Sequence, residues 1–228
     1  MPYGFKVEIQ GDYACFSRPE LKVERVSYEV ITPSAARGIL EAVFWKPEIK
    51  YVIDEIAVCA SIQFENIRRN EVNSKIPYSS VDGAVKKLKD ENLNLYASSD
   101  RAQRAAMILK NVCYVVTAHF ELTKKANDSD NTGKYADMIR RRLEKGQSFH
   151  MPYLGTREFP ARLRLLGEDE VYTPISESRS LGLMFYDFDY EKETDKQGDT
   201  IIKAFNPTYF IAEMMNGIID LRNVEVLR

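Results

Sequence analysis

Six apolar side chains recur at every second position between Val112 and Leu122, and this period of two constrains the fold more than any other feature. They are Val112, Tyr114, Val116, Ala118, Phe120 and Leu122. Because successive side chains of a strand point to opposite faces, all six face one way and predict a strand packed against helices. The opposite, open face then carries Val115, Thr117, His119 and Glu121.

Periodic patterns on both sides of this strand predict an α+β chain of the order β-α-β-β-α-β. The first strand contains Phe5, Val7 and Ile9, and the first helix begins at Thr32-Pro33, a capping hydroxyl followed by proline. The remaining elements are a second strand from Ile56 to Phe64, a helix from Tyr135 to Lys145 before Gly146, and a strand through Leu163 and Leu165. This order is the ferredoxin-like (RRM-like) arrangement of RNA-recognition folds.

The pattern changes after residue 166, so we predict two domains. Residues 1–166 form the ferredoxin-like domain, with an insertion at about 66–111 that is too long for an ordinary connection. A helix capped by Asp100 and running to Leu109 is expected within that insertion. Residues 167–228 read as short, turn-separated strands, around Gly182–Phe185 and Gly217–Ile219, of a small antiparallel β-rich domain.

Charge is unevenly distributed along the 228 residues, although the net charge is only −2. From Arg101 to Arg164 there are 13 Lys and Arg against 6 Asp and Glu, a local excess of +7. From Leu165 to Arg228 the count is 6 against 13, a local −7. This distribution permits RNA binding without requiring it.

The three cysteines, Cys15, Cys59 and Cys113, are widely spaced and form no CxxC pair. They favour reduced, buried thiols in a cytoplasmic protein over disulfides or a zinc site. No apolar run could span a bilayer, and MPYGFKVEIQ alternates like a strand rather than a signal peptide. We therefore expect no membrane partner, no metal and no other cofactor.

His119 is one of two histidines, with His150, and its predicted position on the open sheet face suits proton transfer near neutral pH. A surface histidine without a role is the alternative. No phosphate-binding glycine loop and no Gly-x-Ser-x-Gly motif is present. The inventory best matches metal-free cleavage of RNA through attack by an internal 2′-hydroxyl.

Four ordered motifs, and a fifth near the end of the chain, resemble one CRISPR-associated family. They are GDYACFSRPELKVERVSYEVITPSAARGILEAVFWKP at 11–47, IRRNEV at 67–72, VTAHFEL at 116–122, LGTREF at 154–159 and MNGIIDL at 215–221. Together they resemble the Cas-five subunit of type I-C systems over nearly the whole chain. The resemblance implies an RRM-like domain followed by a small antiparallel sheet.

The same resemblance implies metal-independent cleavage of precursor crRNA within the CRISPR repeat, at the base of its hairpin. The protein would then remain on the 5′ handle as a subunit of the Cascade complex. Its partners would be CRISPR repeat RNA or crRNA and the other type I-C Cascade subunits.

The resemblance also implies site residues. Members of the family place a tyrosine before Trp-Lys-Pro and a lysine two positions before the histidine, where this chain has Phe44 and Thr117. His119 is then the candidate general base or acid, with Lys46 and Tyr28 as neighbours that could supply the missing roles. The candidate RNA-binding residues are Lys22, Arg25, Arg37, Trp45, Arg68, Arg69 and Arg157.

Two alternatives remain at this point. Because phenylalanine carries no transferable proton and threonine no cation, Phe44 and Thr117 favour a non-catalytic scaffold that binds the crRNA handle. The acidic sequence pI of about 5.9 supports a ferredoxin-like protein unrelated to RNA.

Overall fold

The computed structural model of the protein describes residues 4–21, 23–87, 96–127, 130–194 and 200–228. Its elements follow in chain order: β1 (Phe5–Ala14), β2 (Arg25–Val26), α1 (Pro33–Val43), β3 (Ile49–Val58), β4 (Phe64–Val72), α2 (Tyr78–Lys87), β5 (Arg101–Leu122), α3 (Thr132–Glu144), β6 (Arg162–Leu166), β7 (Arg179–Thr194), β8 (Thr200–Met214) and β9 (Ile218–Asp220). The chain is thus mixed α/β, and its strand pairs are mostly antiparallel.

The long strand β5 organises the large sheet. Among the described residues this sheet has seven strands, in the order β6-β1-β5-β3-β9, with β2 and β4 also paired to β5. The face predicted to meet the helices is buried, since Val112, Tyr114, Val116, Ala118 and Phe120 are each at most 8% exposed. Leu122, at the end of the strand, is 40% exposed.

Local signals correctly predicted the two helices on this face. The Thr32 hydroxyl caps α1 by accepting from the Ala35 N–H at 3.2 Å, and Pro33 occupies the first turn. The helix α3 begins at Thr132 and ends before Gly146, whose φ is +62°. Apolar faces of both helices join β1, β3 and β5 in one hydrophobic core.

The predicted helix from Asp100 to Leu109 is wrong. Residues 101–109 instead form the first part of β5 and pair with β4, from Val72 opposite Arg101 to Phe64 opposite Leu109. The pairing satisfies the backbone groups on the facing edges of the two strands, and the Asp100 carboxylate accepts the Ser74 N–H at 2.8 Å rather than capping a helix. The predicted second strand from Ile56 to Phe64 is also wrong as a single element. These residues form the end of β3, a connection and the first residue of β4.

The C-terminal segment contributes to both sheets. β7 and β8 pair in a two-stranded antiparallel hairpin, and Met184, Phe210 and Met214 from this hairpin belong to the same core as the helices. β9 instead extends the large sheet beside β3, with Asp220 opposite Glu55. In the described part of the chain, no helix is both long and apolar enough to cross a lipid bilayer.

Burial of the cysteines differs from the prediction at two positions. Cys15 is buried, whereas Cys59 and Cys113 are half-buried. These two lie side by side at the ends of paired strand segments, since the Cys59 N–H donates to the Cys113 carbonyl at 2.8 Å. Both lie on the face opposite the helices, where Cys59 packs against a small cluster of Ala57, Val115 and Leu166 rather than against the main core.

The LGTREF motif depends on glycine because of a close backbone approach. Gly155 has φ +83°, and an added Cβ would lie 2.0 Å from the Cys15 carbonyl oxygen. Gly146 also has positive φ, but no heavy atom lies within 4 Å of its virtual Cβ. Gly146 therefore requires glycine only because of its positive φ. Gly155 requires glycine both for its positive φ and because the Cys15 backbone lies so close.

We expect Gly146→Ala to lower the free energy of unfolding by about 1–2 kcal/mol, the usual cost of the left-handed region. We expect Gly155→Ala to cost roughly twice that or more, because two backbone segments must also separate. Urea denaturation of both variants measures the difference. Equal losses would contradict the steric role of Gly155.

Candidate active site

His119 lies on the face of β5 opposite the helices, as its parity in the strand predicts. Its side chain is 19% exposed. The face is less open than expected, because Val115 is only 1% exposed and packs with Ala57 and Leu166 under Tyr172 and Ile218. The accessible part of this face therefore begins near His119.

A buried carboxylate orients His119. Oδ2 of Asp54 lies 2.8 Å from Nδ1 of His119, and Asp54 is only 6% exposed. Because an ionised carboxylate only accepts hydrogen bonds, Nδ1 is the donor in this pair. Within the described residues Nε2 has no hydrogen-bond partner, so it is left to exchange a proton with a bound molecule.

Asp54 reaches His119 because the strand pairing is irregular at this point. The register of β3 against β5 shifts between Ile53 and Glu55, which inserts Asp54 as an extra residue. The Asp54 carbonyl accepts the Leu221 N–H at 2.9 Å, so the segment after β9 holds the bulge in place. Sequence reasoning missed Asp54, although a carboxylate within the apolar run YVIDEIAV is an available signal.

A cavity of about 620 Å³ lies beside this pair. Asp54 and Thr117 line it together with three cationic side chains, Lys6, Arg140 and Arg222. The same lining holds two further carboxylates, Glu144 and Glu168, so the cavity as a whole carries no net positive charge. The Arg222 guanidinium already binds Asp220 at 2.7 Å, which leaves Lys6 and Arg140 as the cations beside Thr117.

Lys50 is a further cation that sequence reasoning missed. On the β3–β5 ladder Lys50 is opposite Glu121, and Val52 is opposite His119. Lys50 and His119 therefore share a face of the sheet, two positions apart along the strands. The Lys50 side chain is exposed. The alternating sequence IKYV at 49–52 was the signal that could have placed Lys50 on this face.

The two other predicted catalytic residues lie in different environments. Tyr28 is 2% exposed, its hydroxyl accepts the Phe185 N–H at 3.3 Å, and burial raises the pKa of that hydroxyl. This geometry suits a packing contact with the hairpin better than proton transfer to RNA. Lys46 is exposed just beyond the end of α1.

Phe44 belongs to the core. It is 2% exposed and lies 5.0 Å beneath the Arg142 guanidinium. The Tyr51 hydroxyl donates to the Phe44 carbonyl at 2.8 Å. The ring therefore closes the space where α1 meets β3 and α3.

Ion pairs occupy three of the predicted RNA-binding arginines. Arg37 binds Asp187 through two hydrogen bonds of 2.9 and 2.7 Å, which clamps α1 to β7. Arg25 pairs with Glu71 at 3.2 Å, and Arg69 pairs with Glu158. These contacts favour structural roles for the three side chains.

The remaining predicted residues are more accessible. Arg68 and Arg157 are exposed, and Trp45 is 57% exposed. Trp45 and Arg157 line the same cavity, of about 800 Å³. Lys22 lies outside the described residues.

Comparison with known proteins agrees with the motifs. Residues 4–222 match the family described as CRISPR-associated protein (Cas_Cas5). A protein of Mannheimia succiniciproducens named CRISPR pre-crRNA endoribonuclease Cas5d is 48% identical over 221 residues, which cover 95% of this chain and 93% of that protein. A Thermus thermophilus protein of the same name is 47% identical over 68% of this chain and 61% of its own length.

A solved structure shares the fold. The crystal structure of a functionally uncharacterized protein from Streptococcus mutans superposes with a TM-score of 0.66 at 22% identity, covering 96% of this chain and 92% of that one. Because the family match extends over nearly all of the sequence, this chain belongs to the Cas5d family of CRISPR-associated proteins.

Proposed function

We propose that this protein is an endoribonuclease that cleaves precursor crRNA within the CRISPR repeat, at the base of its hairpin and without a metal ion. The observation that carries the proposal is the 2.8 Å pair between Asp54 and His119 on the accessible part of the sheet. The names of the two curated relatives support the same substrate and activity.

The chemistry requires little more than proton transfer and positive charge. One group removes the proton from a 2′-hydroxyl, and the 2′-oxygen then attacks the adjacent phosphorus. The bond from phosphorus to the 5′-oxygen breaks, and that oxygen receives a proton. His119 acts as base or acid, while Lys50 and, from the 620 Å³ cavity, Lys6 and Arg140 stabilise charge on the phosphate.

The protein then remains on the 5′ handle of its product as a subunit of the type I-C Cascade complex. We propose a ferredoxin-like domain at 1–166 and a smaller one at 167–228. The strand order β6-β1-β5-β3 with α1 and α3 on one face supports the first, and the separate β7–β8 hairpin supports the second. On this division, β9 is a C-terminal strand that completes the N-terminal sheet.

His119→Ala and His119→Gln should each slow cleavage of repeat RNA by about 10²–10⁴-fold, because neither side chain can transfer a proton. Asp54→Asn should slow cleavage at least about tenfold, since the amide no longer fixes the ring in the same way. Single-turnover cleavage in EDTA measures the rates, and filter binding measures affinity for the RNA, which should change little. Undiminished cleavage by the His119 variants would remove this residue from the mechanism.

The alternative is a non-catalytic scaffold that binds the crRNA handle. The core position of Phe44 and the threonine at 117 favour it, because phenylalanine has no proton to transfer and threonine carries no cation. It predicts tight binding of repeat RNA by the unaltered protein and no cut product in EDTA or in added divalent metal.

Lys50→Ala should weaken binding of repeat RNA and reduce the slope of log affinity against log salt concentration by about one, because one phosphate contact is lost. Lys134→Ala removes the same charge from α3, where Lys134 lies 3.8 Å from Asp130, and serves as the matched control. Titrations at several salt concentrations compare them. An equal change in both variants would indicate a general charge effect rather than a contact at Lys50.

A further inference from the structure

Trp45 stands between two cavities of different chemistry. The first, of about 800 Å³, is lined by Trp45, Phe149, His150, Met151, Tyr153 and Arg157, and we name it the aromatic groove. The second, of about 760 Å³, contains Lys50, Lys124 and Lys125 beside Trp45, and we name it the lysine cavity. Both volumes lie within the range of small-ligand sites.

The side chains of the aromatic groove are unusually exposed. Phe149 and Met151 are 75% and 73% exposed, and Trp45 is 57% exposed. Their backbone is nevertheless anchored, because the N–H groups of Phe149 and His150 both donate to the Ala42 carbonyl, at 2.9 and 3.1 Å. Clustered exposed apolar side chains on a fixed backbone are typical of a binding surface.

Gly38 keeps the floor of this groove open. It lies in the middle of α1 on the exposed side, where glycine lowers helix stability relative to alanine. No heavy atom lies within 4 Å of its virtual Cβ, so packing inside the protein does not require glycine there. The missing side chain instead leaves room in the groove.

The two cavities carry a positive excess. Their carboxylates are already paired: Glu41 and Asp187 with Arg37 at 2.6 and 2.7 Å, and Asp189 with Arg228 at 2.8 Å. The described residues include no ion-pair partner for the other cations, Lys50, Lys124, Lys125 and Arg157. Aromatic rings beside uncompensated cations complement a strand of bases joined by phosphates.

We propose that the aromatic groove binds unpaired bases of single-stranded RNA by stacking, while the adjoining phosphates run along the lysine cavity. Trp45, Phe149 and His150 provide the stacking surfaces, and Arg157 provides a cation at the rim. The choice of RNA as ligand rests on the proposed function. Stacking uses the face that every base possesses, so the groove accepts different bases with similar affinity.

Trp45 is the single tryptophan of the chain, so its fluorescence reports directly on this site. The unaltered protein is titrated with hexauridylate, hexaadenylate and an abasic hexamer that has the same phosphates without bases. Both base-containing hexamers should quench Trp45 fluorescence and bind more tightly than the abasic one. Equal binding and quenching by all three would overturn the proposal.

Variants locate the bases within the groove. Phe149→Ala and His150→Ala should each weaken hexamer binding roughly 5- to 150-fold, the range for one lost stacking contact. Phe205→Ala, which removes a 62% exposed ring from β8 outside the groove, is the matched control and should bind as the unaltered protein does. Losses at Phe149 and His150 no larger than at Phe205 would refute the assignment.

Gly38→Gln tests the groove by filling it. Glutamine is a better helix former than glycine and meets no neighbouring atom at its Cβ, so the variant should fold with undiminished thermal stability. It should nevertheless lose most hexamer binding and quenching. Full binding by this folded variant would contradict the proposal.

Cleavage of repeat RNA is followed in parallel, so that the two proposals fail separately. Cleavage without quenching by any hexamer refutes the stacking groove and leaves the nuclease standing. Quenching and base-dependent binding without cleavage refute the nuclease and leave the groove standing.

Discussion

The sharing of β5 between its neighbours is the constraint on which the rest of the structure depends. This one strand pairs with β1 along one edge and β3 along the other, and its first part pairs with β4 and β2. From Tyr114 to Ala118 its backbone is thereby paired on both sides. The register of β3 against β5 then determines which side chains meet His119, including Asp54 at the bulge and Lys50 two positions along.

Ion pairing decides which cations remain available for a polyanion. The sequence alone does not distinguish Arg37, Arg25 and Arg69 from cations such as Lys50 and Arg157. In the structure, each of these three arginines pairs with a carboxylate from a different element. Arg37 in particular ties α1 to β7 and pairs with two acidic side chains at the cavity walls, Glu41 and Asp187. The same contacts that join the hairpin to the helix therefore leave the lysines near Trp45 as the uncompensated charge.

Local patterns predicted the elements whose determinants are adjacent in sequence. The start of α1 needs only Thr32 and Pro33, and the alternation in β1, in β6 and in the second part of β5 (112–122) is complete within each segment. The failure at Asp100–Leu109 has a physical cause: this segment can form a helix or a strand, and its partner β4 ends nearly thirty residues earlier in the chain. Pairing with β4 selected the strand over the helix for this segment.

The sequence by itself determined the family, the helices α1 and α3, and the face of β5 on which His119 lies. It could do so because motifs and periodicity are properties of short stretches. Only the tertiary structure decided what surrounds that histidine. Asp54 and His119 are 65 residues apart, and Arg37 and Asp187 are 150 apart. Tyr28 and Phe44 likewise became core residues through contacts with distant elements. Hydrogen bonds and ion pairs form between whatever side chains the register brings together, and that register is set by the whole sheet.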